Sequence, residues 1–172
     1  MSETRLTPIS YIVLGLLRWA PRSTAYDLER TINATVAHMW PIQRSQIYRE
    51  PGRLRDVGLL TAVTESGGRP KTVFSVTPDG EQELERWLRE AVDQPPQFRD
   101  LALMKIFFGA PPEVFARARL LGHQAQLKEY ELLYETSALA PAGARIALEA
   151  AIAHERTAIR FWGDLVKSAG ES

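Results

Sequence analysis

Between Trp40 and Val76 the chain carries six basic side chains, Arg44, Arg49, Arg53, Arg55, Arg69 and Lys71, against three acidic ones, Glu50, Asp56 and Glu65. A guanidinium is a rigid fork of N–H donors that matches phosphate oxygens, so such a cluster is chemistry for a polyanion, although a solvated face can have the same composition. Ser45, Gln46 and Tyr48, interleaved with these bases, add hydrogen-bonding groups to the same stretch. The chain as a whole is neutral, but residues 1–80 hold 10 bases and 7 acids while residues 81–172 hold 11 and 14. The two halves are therefore expected to do different work.

Catalysis finds no support. The sequence has no GxSxG, no GxxxxGK[ST], no GxGxxG after a strand and no HExxH. His38, His123 and His154 are far apart and none has a ligand-type partner four residues away, so each reads as an ordinary histidine. With no Cys, a disulfide framework, a thiolate metal site and a cysteine nucleophile are excluded. Neither an enzyme, a metal nor a cofactor is expected. At 172 residues, 45% hydrophobic and 24% charged, the composition is that of a soluble globular protein with one core or two small ones. The longest apolar stretch, Tyr11 to Leu17, is too short to span a bilayer, and the N-terminus lacks a basic n-region, so a cytoplasmic location is expected.

Local signals outline the scaffold that must position the basic cluster. Thr7-Pro8 is a helix start, and Ile9, Ile12, Val13, Leu16 and Leu17 then recur at helical spacing until Pro21. A second helix begins at Ser23 or Thr24, with Asp27 completing a capping box and Leu28, Ile32 and Val36 as its buried stripe. A third is expected from about Gln43 to Val57, with Ile47, Leu54 and Val57 inward and Gly58 as its stop. The period then changes to that of strands over Leu60–Glu65 and Thr72–Val76, joined by Ser66-Gly67-Gly68-Arg69-Pro70. Ser66-Gly67-Gly68 reads as a hairpin turn and not a phosphate cradle, because it joins two strands. Thr77-Pro78 opens another helix, with Leu84, Trp87 and Leu88 as its apolar side.

Gln94-Pro95-Pro96-Gln97 marks a boundary between residues 1–94 and 95–172, since paired prolines cannot continue a helix. Everything beyond it reads as helical. A short apolar segment spans Phe98 to Phe108, and Pro111-Pro112 opens a helix to about Leu139 with Val114, Phe115, Ala118, Leu121, Ala125 and Leu132 on one side. After a turn at Ala140–Gly143, a last helix over 144–168 carries Leu148, Ile152, Ile159, Trp162 and Val166. That seam is longer than the core needs, which points to dimerisation; an intramolecular bundle with the preceding segments is the alternative. Trp87, Phe98, Phe107, Phe108 and Trp162 supply aromatic surface that could hold a flat apolar effector at a dimer centre, or could simply be core.

Three helices, the third basic, followed by a hairpin form the plan of a winged helix, whose third helix enters the major groove and whose wing reaches toward the backbone or minor groove. The expected class is mainly α: an N-terminal winged helix and a C-terminal helical dimerisation domain. Gln46 or Arg49 could read base edges, while Ser45, Tyr48 and Arg53 would hold phosphates and Arg69 and Lys71 would act from the wing. Tyr48 could instead pack against Tyr26.

The chain also resembles the PadR family of bacterial transcriptional regulators. The likeness lies in Ile12-Val13-Leu14-Gly15-Leu16-Leu17, Ala25-Tyr26-Asp27-Leu28, Ser45-Gln46-Ile47-Tyr48-Arg49-Glu50, Arg53-Leu54, Gly58-Leu59-Leu60, Gly68-Arg69-Pro70-Lys71 and Val76-Thr77-Pro78-Asp79-Gly80. It implies a homodimeric, repressor-like protein on an inverted-repeat operator in double-stranded DNA, in some cases released by a small aromatic effector. Tyr26 joins the DNA-binding set on this ground. The alternative function is a winged helix that binds an acidic protein partner. One departure stands out: where the family usually has Leu, this chain has Pro51, which inside a helix would remove one hydrogen bond at a cost of about 3 kcal/mol.

Overall fold

The computed structural model describes residues 5–37, 39–65, 70–95, 99–136 and 142–170. The chain divides into two compact units, Met1–Gln94 and Pro95–Ser172. Among the described residues the protein is mainly helical, with one two-stranded antiparallel hairpin.

In the first unit, helix α1 (Pro8–Trp19) starts where Thr7 and Pro8 place it, and the Thr7 N–H donates to Ser10 Oγ at 2.9 Å. Helix α2 (Ala25–Thr35) has the capping box at Thr24: its hydroxyl accepts from the Asp27 N–H at 3.1 Å, and its own N–H donates to Asp27 Oδ2 at 3.0 Å. Helix α3 (Arg44–Asp56) runs through Pro51 without a break, and Gly58, at φ 82°, turns the chain out of it. Pro51 is fully buried, so the ring fills a core position while the amide it lacks leaves one helical bond unmade.

Strands β1 (Leu60–Glu65) and β2 (Lys71–Val76) pair in the register Leu60↔Val76 through Glu65↔Lys71. A bridge between Ser23 and Phe74 adds the α1–α2 turn to this sheet, a long-range pairing with no local signal. Helix α4 (Pro78–Leu88) is capped by Thr77, which accepts from the Gly80 N–H at 3.0 Å. Gly80 is required by close approach: a Cβ there would lie 2.2 Å from the Leu59 carbonyl oxygen.

The core gathers Val13, Leu14 and Leu17 from α1, Leu28 and Ile32 from α2, Ile47 and Leu54 from α3, Leu60 and Phe74 from the hairpin, and Leu84 from α4. Each contributes roughly 1.5–3 kcal/mol by leaving water. Two expectations fail at the rim. Val57 is exposed, because it is the C-cap after the last full turn; Trp87 and Leu88 are exposed too, because only the Gly80–Leu84 side of α4 meets the core. Trp87 lies flat on Tyr11, rings 4.5 Å apart.

In the second unit, α5 (Leu101–Phe107) is capped by Asp100 and buries none of its residues. Helices α6 (Glu113–Thr136) and α7 (Ala142–Gly170) form a long pair. Tyr134 meets Glu149, Tyr130 packs with Leu148 and Ile152, His123 meets Glu155, and Arg119 lies over Trp162. The order falls along α6 as it rises along α7, so the helices are antiparallel. The turn expected at Ala140–Gly143 lies mostly outside the described residues.

This pairing covers much of the seam expected to dimerise. Leu148, Ile152 and Trp162 are buried inside their own chain and Ile159 and Val166 are half-buried, so the seam read as surplus is the packed face of an intramolecular helix pair. The stripe assigned to α6 is also displaced. Val114, Leu121 and Leu132 are exposed, whereas the face toward α7 runs through Ala116, Leu120, His123, Leu127, Tyr130 and Tyr134 at heptad-like spacing. Polar His and Tyr in that face hid it from a hydrophobicity pattern.

Candidate nucleic-acid interface

The first two turns of α3 present Ser45, Tyr48 and Arg49 to solvent, because Ile47 and Leu54 must take the core side of the same helix. Around this face several bases pair with carboxylates of the same unit. Arg44 Nε lies 2.8 Å from Glu29, whose second oxygen accepts from the Tyr48 hydroxyl at 2.7 Å, and the Arg44 guanidinium stands 5.4 Å over the Tyr48 ring. Arg55 pairs with Asp56 at 2.5 Å, and Lys71 Nζ lies 3.2 Å from Glu65. Among the described residues Arg49 makes no salt bridge, unlike Arg44, Arg53 and Arg55 of the same helix, and its exposed guanidinium is open to an outside anion.

Arg53 does not join this face. Its guanidinium grips Glu50 through Nε at 3.0 Å and Nη2 at 2.5 Å, and Nη2 also donates to Ser10 Oγ at 2.9 Å, while the Ser10 hydroxyl donates to Glu50 at 2.7 Å. Glu50 and Ser10 are both buried. Burial alone would push the Glu50 carboxyl up, but the hydrogen bonds from Arg53 and Ser10 and the charges of Arg53 and Arg49 outweigh it and hold the carboxyl below its ordinary range. Arg53 is thus the counter-ion of a buried acid in the free protein, and a buried carboxylate without its cation costs more than a surface contact gains. The Glu50–Arg53 spacing of three residues was the available signal for this pair.

Gln46 is half-buried and its side-chain oxygen accepts from the Gln43 N–H at 3.4 Å, so it serves the start of α3 in the free protein. Tyr26 is exposed and does not cap or fill the core. It lines an open slot of about 720 Å3 with Thr24, Asp27, Tyr48, Lys71 and Phe74, which brings α2, α3 and β2 to one surface. Arg69 lies outside the described residues.

The aromatic residues proposed for an effector are divided between the two units. Trp87 is in the first unit, Phe98 lies outside the described residues, and Phe107 and Phe108 stand edge to face with 82% and 79% of their surface exposed. Trp162 alone lines a cavity, of about 440 Å3, with Leu103, Arg119, His123, His154 and Phe161. There Arg119 pairs with Asp100, and His123 Nδ1 lies 2.6 Å from Glu155; a carboxylate can only accept, so Nδ1 carries the proton. Among the described residues, Arg119 Nε and His123 Nε2 are buried without a hydrogen-bond partner. His38 lies outside the described residues. Among them no cluster of His, Cys, Asp and Glu could hold a metal ion, and no helix is long and apolar enough to cross a membrane.

No protein-family model matches the chain. It is 32% identical over 102 residues to the negative transcriptional regulator PadR of Bacillus subtilis, a match that spans 58% of this chain and 56% of the relative. The chain thus matches about half the length of that protein. The crystal structure of B. subtilis PadR in complex with operator DNA superposes with a TM-score of 0.83 at 25% identity, covering 95% of this chain and 98% of the other. In sequence and in fold the chain is similar to PadR regulators. The same fold is found in a further regulator: the PadR-like BC1756 of Bacillus cereus matches with a TM-score of 0.79 at 18% identity over 98% of this chain and 99% of its own. B. subtilis PadR in complex with p-coumaric acid matches with a TM-score of 0.77 at 23% identity over 93% and 97%. The winged helix of this fold is the first unit, with α3 and the β1–β2 hairpin as its helix and wing.

Proposed function

We propose that this protein is a DNA-binding transcriptional repressor that acts in the cytoplasm as a homodimer on an inverted-repeat operator and has no enzymatic activity of its own. The observation that carries this reading is the surface of α3: Arg49 without a salt bridge, flanked by exposed Ser45 and Tyr48, on a helix whose other bases, Arg44, Arg53 and Arg55, each pair with a carboxylate of the chain. Arg49 is the group for base edges, while Ser45, Tyr26, Tyr48, Lys71 and Arg69 serve the backbone. Two such helices related by a dimer axis would read half-sites about one helical turn, ~34–36 Å, apart or a multiple of it. Relatives named as a negative regulator and as an operator-DNA complex support the assignment.

Dimerisation falls to the exposed apolar side chains of the second unit, Leu101, Met104, Phe107 and Phe108 of and beside α5, because the α7 seam is already covered. The cavity beside Trp162 is the place for a small aromatic effector of the kind that p-coumaric acid is for the relative. Its ring would lie along Trp162 and Phe161, and its polar groups would meet Arg119 and His123. The test is a gel shift with duplex from immediately upstream of the protein's own coding region, over a range of salt. Specific binding that falls steeply with salt and is lost or broadened in sequence preference by Arg49→Ala is the expected result. Binding to an acidic protein but to no duplex would replace this reading with that of a protein-interaction module.

A further inference from the structure

Arg22, in the turn between α1 and α2, has a left-handed backbone at φ 61°, which among the described residues no other side-chain-bearing residue shares. That conformation crowds a Cβ and is ordinarily left to glycine or asparagine. A long cation kept at such a position calls for a use of the cation. Arg22 Nη2 lies 2.6 Å from Glu65 Oε1, and Lys71 Nζ lies 3.2 Å from Oε2 of the same carboxylate. Glu65 and Lys71 are the last directly paired residues of the hairpin before its tip. The Ser23↔Phe74 bridge is what brings the α1–α2 turn alongside them.

Both cations are largely exposed, with 61% and 60% of their side chains open to water. Two exposed cations converging on one carboxylate have the arrangement that a phosphate would take between them. Lys71 also lines the slot shared with Tyr26 and Tyr48, so the pair borders the surface assigned to DNA. We propose that Arg22 is a further contact to the DNA backbone, and that Glu65 holds Arg22 and Lys71 ready in the free protein until a phosphate displaces it. The inference rests on the DNA-binding reading of the wing. Glu65 then acts as an internal competitor: it pre-places both cations and lowers the affinity of the surface they form.

Duplex titrations at several salt concentrations with the full-length wild type, Arg22→Gly and Glu65→Gln test this, with a melting curve for each. Arg22→Gly is expected to shrink the slope of log affinity against log salt by about 0.9 and to weaken all duplexes alike, about three- to tenfold, while its melting temperature is held or raised because glycine relieves the backbone. Glu65→Gln is expected to tighten binding by a similar factor. A merely structural ion pair would lower affinity and melting temperature together in both variants. An unchanged slope in Arg22→Gly, or weaker binding in Glu65→Gln, would overturn the inference. Wild-type protein that binds no duplex at low salt would overturn the DNA-binding reading itself.

Discussion

The two units bury their polar and apolar groups by opposite rules. The first closes an apolar core over three helices and a hairpin and places one ionised network, Ser10–Glu50–Arg53, inside it. The second builds its helix pair on a face that mixes Leu148, Ile152 and Trp162 with Tyr130 and a His123–Glu155 pair, and leaves Leu101, Phe107, Phe108 and Leu121 in water. The winged helix closes its own core around Leu14, Leu17, Leu28, Ile32 and Leu54, although Trp19, Trp40 and Leu88 stay exposed at its rim. Exposed apolar side chains such as Leu101, Phe107 and Phe108 of the second unit are what a partner would cover, which is the ground for proposing the dimer surface there.

The contrast can be broken from either side. Ile152→Ala should cost about 3 kcal/mol in the second unit, as for a buried aliphatic side chain, whereas Leu121→Ala, on the stripe that a hydrophobicity pattern favours, should cost less than about 0.5 kcal/mol; paired denaturant melts compare them. Arg53→Ala should cost about 2 kcal/mol by leaving Glu50 buried without its counter-ion, less than for a fully enclosed pair because Arg53 is partly open to water. Its DNA affinity per folded molecule should fall less than that of Arg49→Ala. If the reverse holds in a titration, Arg53 touches DNA after all.

Phe107→Ala with Phe108→Ala should raise the dimer dissociation constant by at least about tenfold in sedimentation without lowering the melting temperature of the helix pair, since neither ring is packed in its own chain. Pro51→Leu should add about 1 kcal/mol, because α3 continues through this position and regains a hydrogen bond, while the bulkier side chain in a filled core takes back part of the gain. On a unit of this size that is roughly 4–8 °C. A variant that melts at or below the parent temperature would mean the core cannot admit the larger group.

The mildest perturbation is acid. Glu50 has a folded-state pKa below its ordinary value of 4.5, so its network stabilises fully above about 4.5 and that contribution is lost as the pH falls through the lowered folded value. Glu50→Gln should therefore flatten the acid limb of the stability profile of the first unit and leave it unchanged near neutrality apart from a constant offset. An identical acid limb in the variant would place the acid sensitivity elsewhere.

Local chemistry was readable from the chain alone. Thr7-Pro8, Thr24 with Asp27, Thr77-Pro78 and Gly58 mark element ends because a cap is satisfied by atoms within four residues of itself, and the strand pattern of 60–65 and 71–76 needs only a turn between its halves. The winged-helix plan and the placing of Ser45, Tyr48 and Arg49 outward follow from that order together with Ile47 and Leu54 facing in. Only the tertiary structure decided what each face meets. Whether Arg53 serves DNA or Glu50 depends on Ser10, forty-three residues away on α1; whether the α7 seam binds a second copy or α6 depends on which face of α6 is turned toward it. Charge and hydrophobicity are properties of a residue, but desolvation and pairing are properties of its neighbours, and those come together only when the chain has folded.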